Sequence, residues 1–155
     1  MEIDGWRSGI RFSACHILPE HSKCSRMHGH TYGVHLRVTG TPGKDGLVTD
    51  FTVLKGILRE LVEELDHRML IPEKDPGIDL LVTDPSVKFR YGDKGYSLPS
   101  EDCAVLPLEG ISGERLAVYL LDRFVAKLGS PPNVSRVELG LDEGPGQGAW
   151  AARDL

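Results

Sequence analysis

Three histidines stand where their spacing could build a metal centre. His28-Gly29-His30 places two imidazoles two positions apart, and on a strand such residues project to the same face. The glycine between them leaves room for a backbone or ligand to come close. His16 ends an earlier alternating run, on the face it shares with Phe12 and Ala14. A hairpin closed by the 17–27 loop would set the end of the first strand beside the start of the second, so that the three rings converge. Catalytic zinc takes three protein ligands and keeps its fourth position for water or substrate, and His16, His28 and His30 fit that arrangement.

Cys24 lies four residues before His28, with Lys23 and Arg26 close by, and positive charge favours its thiolate. Two roles are open to it: a fourth zinc ligand that closes a structural site, or a catalytic base beside an open one. Asp66-His67 joins a carboxylate to an imidazole that it can orient or hold protonated, the ingredients of a general acid–base pair. A histidine at a helix C-terminus is also favoured by the macrodipole alone. Glu143, at the end of an otherwise apolar strand face, either caps the strand or reaches into a cavity to bind paired N–H donors. His35 has the opposite parity to His28 and reads as structural, and His21 reads as a solvated loop residue. Cys15 points away from His16 into the core, and Cys103 has no evident partner.

The elements that position these groups follow from the periodicity. Ile10, Phe12, Ala14 and His16 alternate as a strand, 18–27 reads as a loop, and His28 to Gly40 is a second strand. Asp50 is placed to cap a helix carrying Leu54, Ile57, Leu58, Leu61, Val62 and Leu65, ending near Asp66-His67. A second helix runs from Ser112 to Leu128, where Gly129 and Pro131 stop it. Val137, Leu139, Leu141 and Glu143 alternate in a third strand, and a short last strand covers 149–153. The order is ββααββ: an α+β fold, one domain over 1–155, with an antiparallel sheet and two helices on one face. Between the helices, 71–110 is expected to be an insertion holding a hairpin around Gly92-Asp93-Lys94-Gly95.

The 155 residues carry 18 Lys+Arg against 23 Asp+Glu, a net charge of −5, which argues against a nucleic-acid partner. No apolar run approaches the roughly 20 residues that span a bilayer, so no membrane partner is expected. The acidic Met1-Glu2-Ile3-Asp4 start does not read as a signal peptide, and three cysteines cannot all pair. A reducing cytoplasm is the expected location.

Taken in order, Phe12-Ser13-Ala14-Cys15-His16, Cys24-Ser25-Arg26-Met27-His28-Gly29-His30, Asp50-Phe51 and Leu65-Asp66-His67 resemble the pterin synthases of the tunnelling-fold superfamily. These are the 6-pyruvoyltetrahydropterin synthases and the 6-carboxytetrahydropterin synthases of 7-deazaguanine (queuosine and archaeosine precursor) biosynthesis. The resemblance implies zinc on His16, His28 and His30, Cys24 as catalytic base, and Asp66 with His67 as an acid–base relay. It also implies Glu143 as the pterin anchor and Ser112 as a substrate contact. Ser112 stands where the family usually has threonine, and Gly144 departs from the threonine usual after the glutamate. The Cys-x3-His-Gly-His spacing is similar to that of the carboxy-forming branch. That branch converts 7,8-dihydroneopterin triphosphate to 6-carboxy-5,6,7,8-tetrahydropterin, acetaldehyde and triphosphate. Alternatives are pyruvoyl formation on the same substrate, or a non-catalytic zinc- or pterin-binding module. Lys23, Arg26 and Arg68 are candidate triphosphate contacts. The resemblance also implies a homohexamer, two trimers face to face, with active sites between subunits.

Overall fold

A computed structural model describes all residues 1–155. In chain order it contains β1 (Glu2–Ile3), α1 (Gly5–Ser8), β2 (Arg11–His16), β3 (His28–Gly40), α2 (Phe51–Glu63), β4 (Arg68–Pro72), β5 (Ile78–Thr83), β6 (Ser86–Tyr91), β7 (Lys94–Pro99), β8 (Cys103–Leu106), α3 (Gly113–Leu128), β9 (Val134–Asp142) and β10 (Gly148–Asp154). A 3-10 turn at Ser100–Asp102 precedes β8. The chain divides into two compact units: Met1–Phe12, Thr31–Glu64 and Gly113–Leu155 form one, and Ser13–His30 with Leu65–Ser112 the other.

In the first unit β9 lies between β3 and β10, antiparallel to both. The register sets Val34 opposite Leu141, Leu36 opposite Leu139 and Val38 opposite Val137, so the alternating apolar residues of both strands share one buried face. The two helices cover apolar surface in this unit: α3 packs against β9 and β10, and α2 against α3. Asp50 caps α2 as the sequence predicts, its carboxylate accepting from the Thr52 amide at 2.7 Å. Leu54, Leu58 and Leu61 of α2 and Leu116, Leu120 and Phe124 of α3 are almost completely buried. Each such side chain contributes about 1.5–3 kcal/mol relative to exposure. No helix is long and apolar enough to cross a membrane.

The N-terminal residues depart from simple alternation. Asp4 accepts from the Arg7 amide and Gly9 takes φ 68, so residues 5–8 close into one helical turn between β1 and β2. This turn lies against β3 so closely that a Cβ on Gly5 would come within 2.3 Å of the Val34 carbonyl oxygen.

The second unit adds parallel pairings that the sequence pattern does not announce. β4 pairs parallel with β2, through Ala14–Arg68 and Cys15–Met69, and parallel with β8 on its other side. Met69 to Pro72 are all buried, as befits a parallel strand covered on both faces. The 71–110 segment therefore holds more than a hairpin. It starts with the last two residues of β4 and contains β8, and between these strands β5, β6 and β7 form a separate antiparallel sheet. The expected hairpin is present, with Tyr91 opposite Lys94 and Gly92 at φ 55 in the turn. Val87 and Phe89 of β6 join Ile17, Met69, Ile71 and Cys103 in one apolar cluster.

Candidate metal and acid–base site

His16 closes β2, and the neighbouring β3 opens with His28 and His30. One ligand nitrogen from each of the three rings lies within 4.8 Å of the other two. The ring centroids are 4.5, 5.2 and 5.1 Å apart, close to an equilateral triangle. Gly29 permits this approach: a Cβ there would already stand 3.0 Å from the Ala14 carbonyl oxygen. The convergence predicted from strand phasing is thus realised in the geometry.

Backbone carbonyls set the tautomers of two of the rings. His16 Nδ1 donates to the Ile111 oxygen at 2.6 Å, and His28 Nδ1 to the Arg26 oxygen at 2.8 Å. A carbonyl can only accept, so each Nδ1 carries a proton, and in the neutral ring that leaves the lone pair on Nε2. His16 is fully buried, and burial pushes its pKa down to about 4; the Ile111 carbonyl opposes the shift, while His28 and His30 add to it. A neutral imidazole is the form a metal binds. Three imidazoles without a carboxylate among them form a donor set that fits zinc.

Cys24 is half-buried in a loop closed by its own backbone. Its carbonyl accepts from the Leu18 amide at 2.8 Å, and its amide donates to His21 Nδ1 at 3.3 Å. His21, expected to be merely solvated, braces the residue beside which it folds.

Asp66 and His67 follow α2 and are tied to β2. Asp66 Oδ1 accepts from the Ser13 amide at 2.7 Å, its Oδ2 lies 2.8 Å from His67 Nδ1, and the His67 amide donates back to the Ser13 oxygen at 2.6 Å. Burial raises the Asp66 carboxyl, but the Ser13 amide and His67 together hold it below its ordinary value. It is therefore ionised at neutral pH and fixes one nitrogen of an imidazole that is 83% exposed. His67 takes φ 57, a left-handed conformation that costs a non-glycine residue about 1–2 kcal/mol. Ser13 is absent from the sequence-based set because these bonds to Asp66 and His67 are made by its backbone atoms, which no side-chain pattern signals.

Ser112 follows Ile111, whose carbonyl holds His16, and directly precedes α3. Glu143 lies one residue beyond β9 and is half-buried, its amide donating to the Gln147 oxygen at 3.1 Å. Its carboxylate reaches the first residue of α3, where a Cβ on Gly113 would stand 3.6 Å from Oε1. Gly144 has φ 130, which accounts for glycine where threonine was expected. Of the candidate triphosphate contacts, Lys23 and Arg26 are exposed, whereas Arg68 donates to the Cys103 carbonyl at 3.3 Å.

Comparison with known proteins gives a consistent picture. The sequence profile of the family described as 6-pyruvoyl tetrahydropterin synthase matches residues 7–154. A putative 6-carboxy-5,6,7,8-tetrahydropterin synthase of Methanocaldococcus jannaschii is 34% identical over 152 residues, covering 96% of this chain and 93% of that protein. The similarly named protein of Pyrococcus horikoshii is 30% identical over 139 residues, 86% of this chain and 80% of its own length. Among solved structures, the 6-pyruvoyl tetrahydropterin synthase of Plasmodium vivax superposes with a TM-score of 0.92 at 26% identity, covering 100% of this chain and 97% of that one.

Proposed function

The chain belongs to the 6-pyruvoyl tetrahydropterin synthase family, with its tunnelling fold, and we propose that it is the carboxy-forming member: a zinc-dependent carbon–carbon lyase over the single domain 1–155. In this reading 7,8-dihydroneopterin triphosphate and water give 6-carboxy-5,6,7,8-tetrahydropterin, acetaldehyde and triphosphate. The observation that carries it is the histidine triad, in which the Nδ1 atoms of His16 and His28 are tied to backbone carbonyls and the buried His16 is held neutral. The Cys24-x3-His28 spacing and the names of the relatives favour the carboxy branch.

His16, His28 and His30 would hold the zinc. Bound there, the metal supplies a Lewis acid that lowers the pKa of substrate hydroxyl oxygens and stabilises developing negative charge. Cys24 as thiolate removes a proton from the substrate side chain. His67 delivers or accepts a proton, its ring fixed by ionised Asp66, which is itself fixed by the Ser13 amide. The Glu143 carboxylate accepts from the paired N–H groups of the pterin edge, and the Ser112 hydroxyl contacts the substrate. We assign the activity to 7-deazaguanine biosynthesis in the cytoplasm, in a homohexamer built from two trimers with sites between subunits.

The test is incubation of zinc-loaded protein with 7,8-dihydroneopterin triphosphate and mass analysis of the pterin. A 6-carboxy product with acetaldehyde is expected. A 6-pyruvoyl product would assign the chain to the branch named in the Plasmodium vivax structure, and no turnover with zinc bound would leave a binding module.

A further inference from the structure

We propose that Lys94, at the tip of the β6–β7 hairpin, is a positioning residue that fixes the loop carrying Cys24. Lys94 opens β7 opposite Tyr91, directly after the Gly92-Asp93 turn, and its ammonium donates to the Ser25 carbonyl at 2.9 Å. Ser25 is the residue after Cys24. The next carbonyl along the chain, that of Arg26, accepts from His28 Nδ1 at 2.8 Å. Two successive peptide groups between Cys24 and His28 are thus anchored, one to the hairpin and one to the histidine triad.

The other end of the same loop is held by the same small sheet. Ile17 is buried in the apolar cluster to which Val87 and Phe89 of β6 contribute. The loop is gripped by apolar packing where it leaves β2 and by a charged hydrogen bond just past Cys24. Between these anchors its closure rests on short-range bonds among Leu18, His21, Ser22, Cys24 and Ser25. Bonds within the loop fix its shape, whereas the Lys94 bond fixes where that shape lies against the rest of its unit. A charged donor to a carbonyl is stronger than a neutral one, which suits a long side chain spanning 69 positions of sequence. The β5–β7 sheet then has a task besides filling space: it sets the thiol at a fixed position relative to His28. This rests on the reading of Cys24 as catalytic only for its effect on turnover, not for the latch itself.

The experiment uses the full-length zinc-loaded protein and two variants. Lys94→Met keeps the aliphatic stem and removes the donor, and Lys94→Arg restores a cation. Alkylation of Cys24 by iodoacetamide is followed across pH, with the modified peptide identified by mass spectrometry so that Cys15 and Cys103 do not contribute. The plateau, obtained by extrapolating to full thiol ionisation from the pH range in which a lysine ammonium keeps its proton, reports access alone. It is expected to rise at least about threefold in Lys94→Met, as the loop samples open states, and to return to the wild-type value in Lys94→Arg. Turnover of 7,8-dihydroneopterin triphosphate is expected to show kcat lowered about tenfold with KM within about twofold, because the base is misplaced while binding is kept. An unchanged plateau in Lys94→Met overturns the latch whatever happens to turnover. A raised plateau with unchanged kcat supports the latch and instead removes Cys24 from the catalytic groups.

Discussion

At the scale of single residues, the strongest constraint is on His16, which is at once buried, tied to Ile111 and grouped with two other imidazoles. Its folded pKa of about 4 lies well below the unfolded value of ~6.5. Below pH ~6.5 the unfolded chain takes up a proton that the folded, metal-free chain refuses, so stability is full above that pH and falls until the folded site titrates near pH 4. Urea unfolding of the metal-free protein should therefore show a loss of about 2 kcal/mol from this residue between pH 7 and pH 5. The loss should be smaller in His16→Gln, which has nothing to titrate there. Cys24 is tested separately. Cys24→Ala should keep one zinc per chain by elemental analysis and lose activity by about 10²–10⁴-fold, the range for a missing acid–base group. Loss of zinc in that variant would make the thiol a ligand and the site a closed one.

At the scale of elements, legibility in the sequence tracks periodicity. β2 and β3 were legible because each has one buried face and a strict period of two, and the same phasing placed His16, His28 and His30 together. The helices were legible from their leucine stripes and from Asp50 and Gly129. β4 and β8 were not, because parallel strands buried on both faces reduce to short apolar runs, Met69-Leu70-Ile71 and Cys103-Ala104-Val105-Leu106, with no alternation. The Ser13 clamp on Asp66 and the Lys94 bond to Ser25 use backbone atoms across long sequence separations, which no residue pattern encodes. α1 escaped notice because four residues between Asp4 and Gly9 are too few for a helical period. Its seat on β3 leads to a paired prediction about two glycines. Gly5→Ala must push against the Val34 backbone and should cost about 1–3 kcal/mol. Gly56→Ala, in the interior of α2 with nothing within 4 Å of the added methyl, should stabilise the protein by about 0.5–1 kcal/mol. Denaturant midpoints of the two variants should move in opposite directions.

At the scale of the whole chain, the two compact units are interleaved in sequence rather than joined end to end. β2 begins in the first unit at Arg11 and ends in the second at His16, and β3 begins in the second at His28 and ends in the first at Gly40. A strand cannot keep its ladder at one end while the other end melts without breaking hydrogen bonds along its length, so the units should unfold in one transition. The placement of chromophores makes this measurable. Both tryptophans, Trp6 and Trp150, belong to the first unit, whereas all three proposed zinc ligands belong to the second. Zinc at about 100 times its dissociation constant stabilises whatever unfolds with its site by about 2.7 kcal/mol. For a chain of this size that corresponds to a rise in Tm of about 5–10 °C. If the units unfold together, tryptophan fluorescence should report the full rise at fixed protein concentration, although neither indole lies in the unit that binds the metal. A fluorescence midpoint indifferent to zinc, with a circular-dichroism transition that does shift, would mean that the shared strands do not couple the two units.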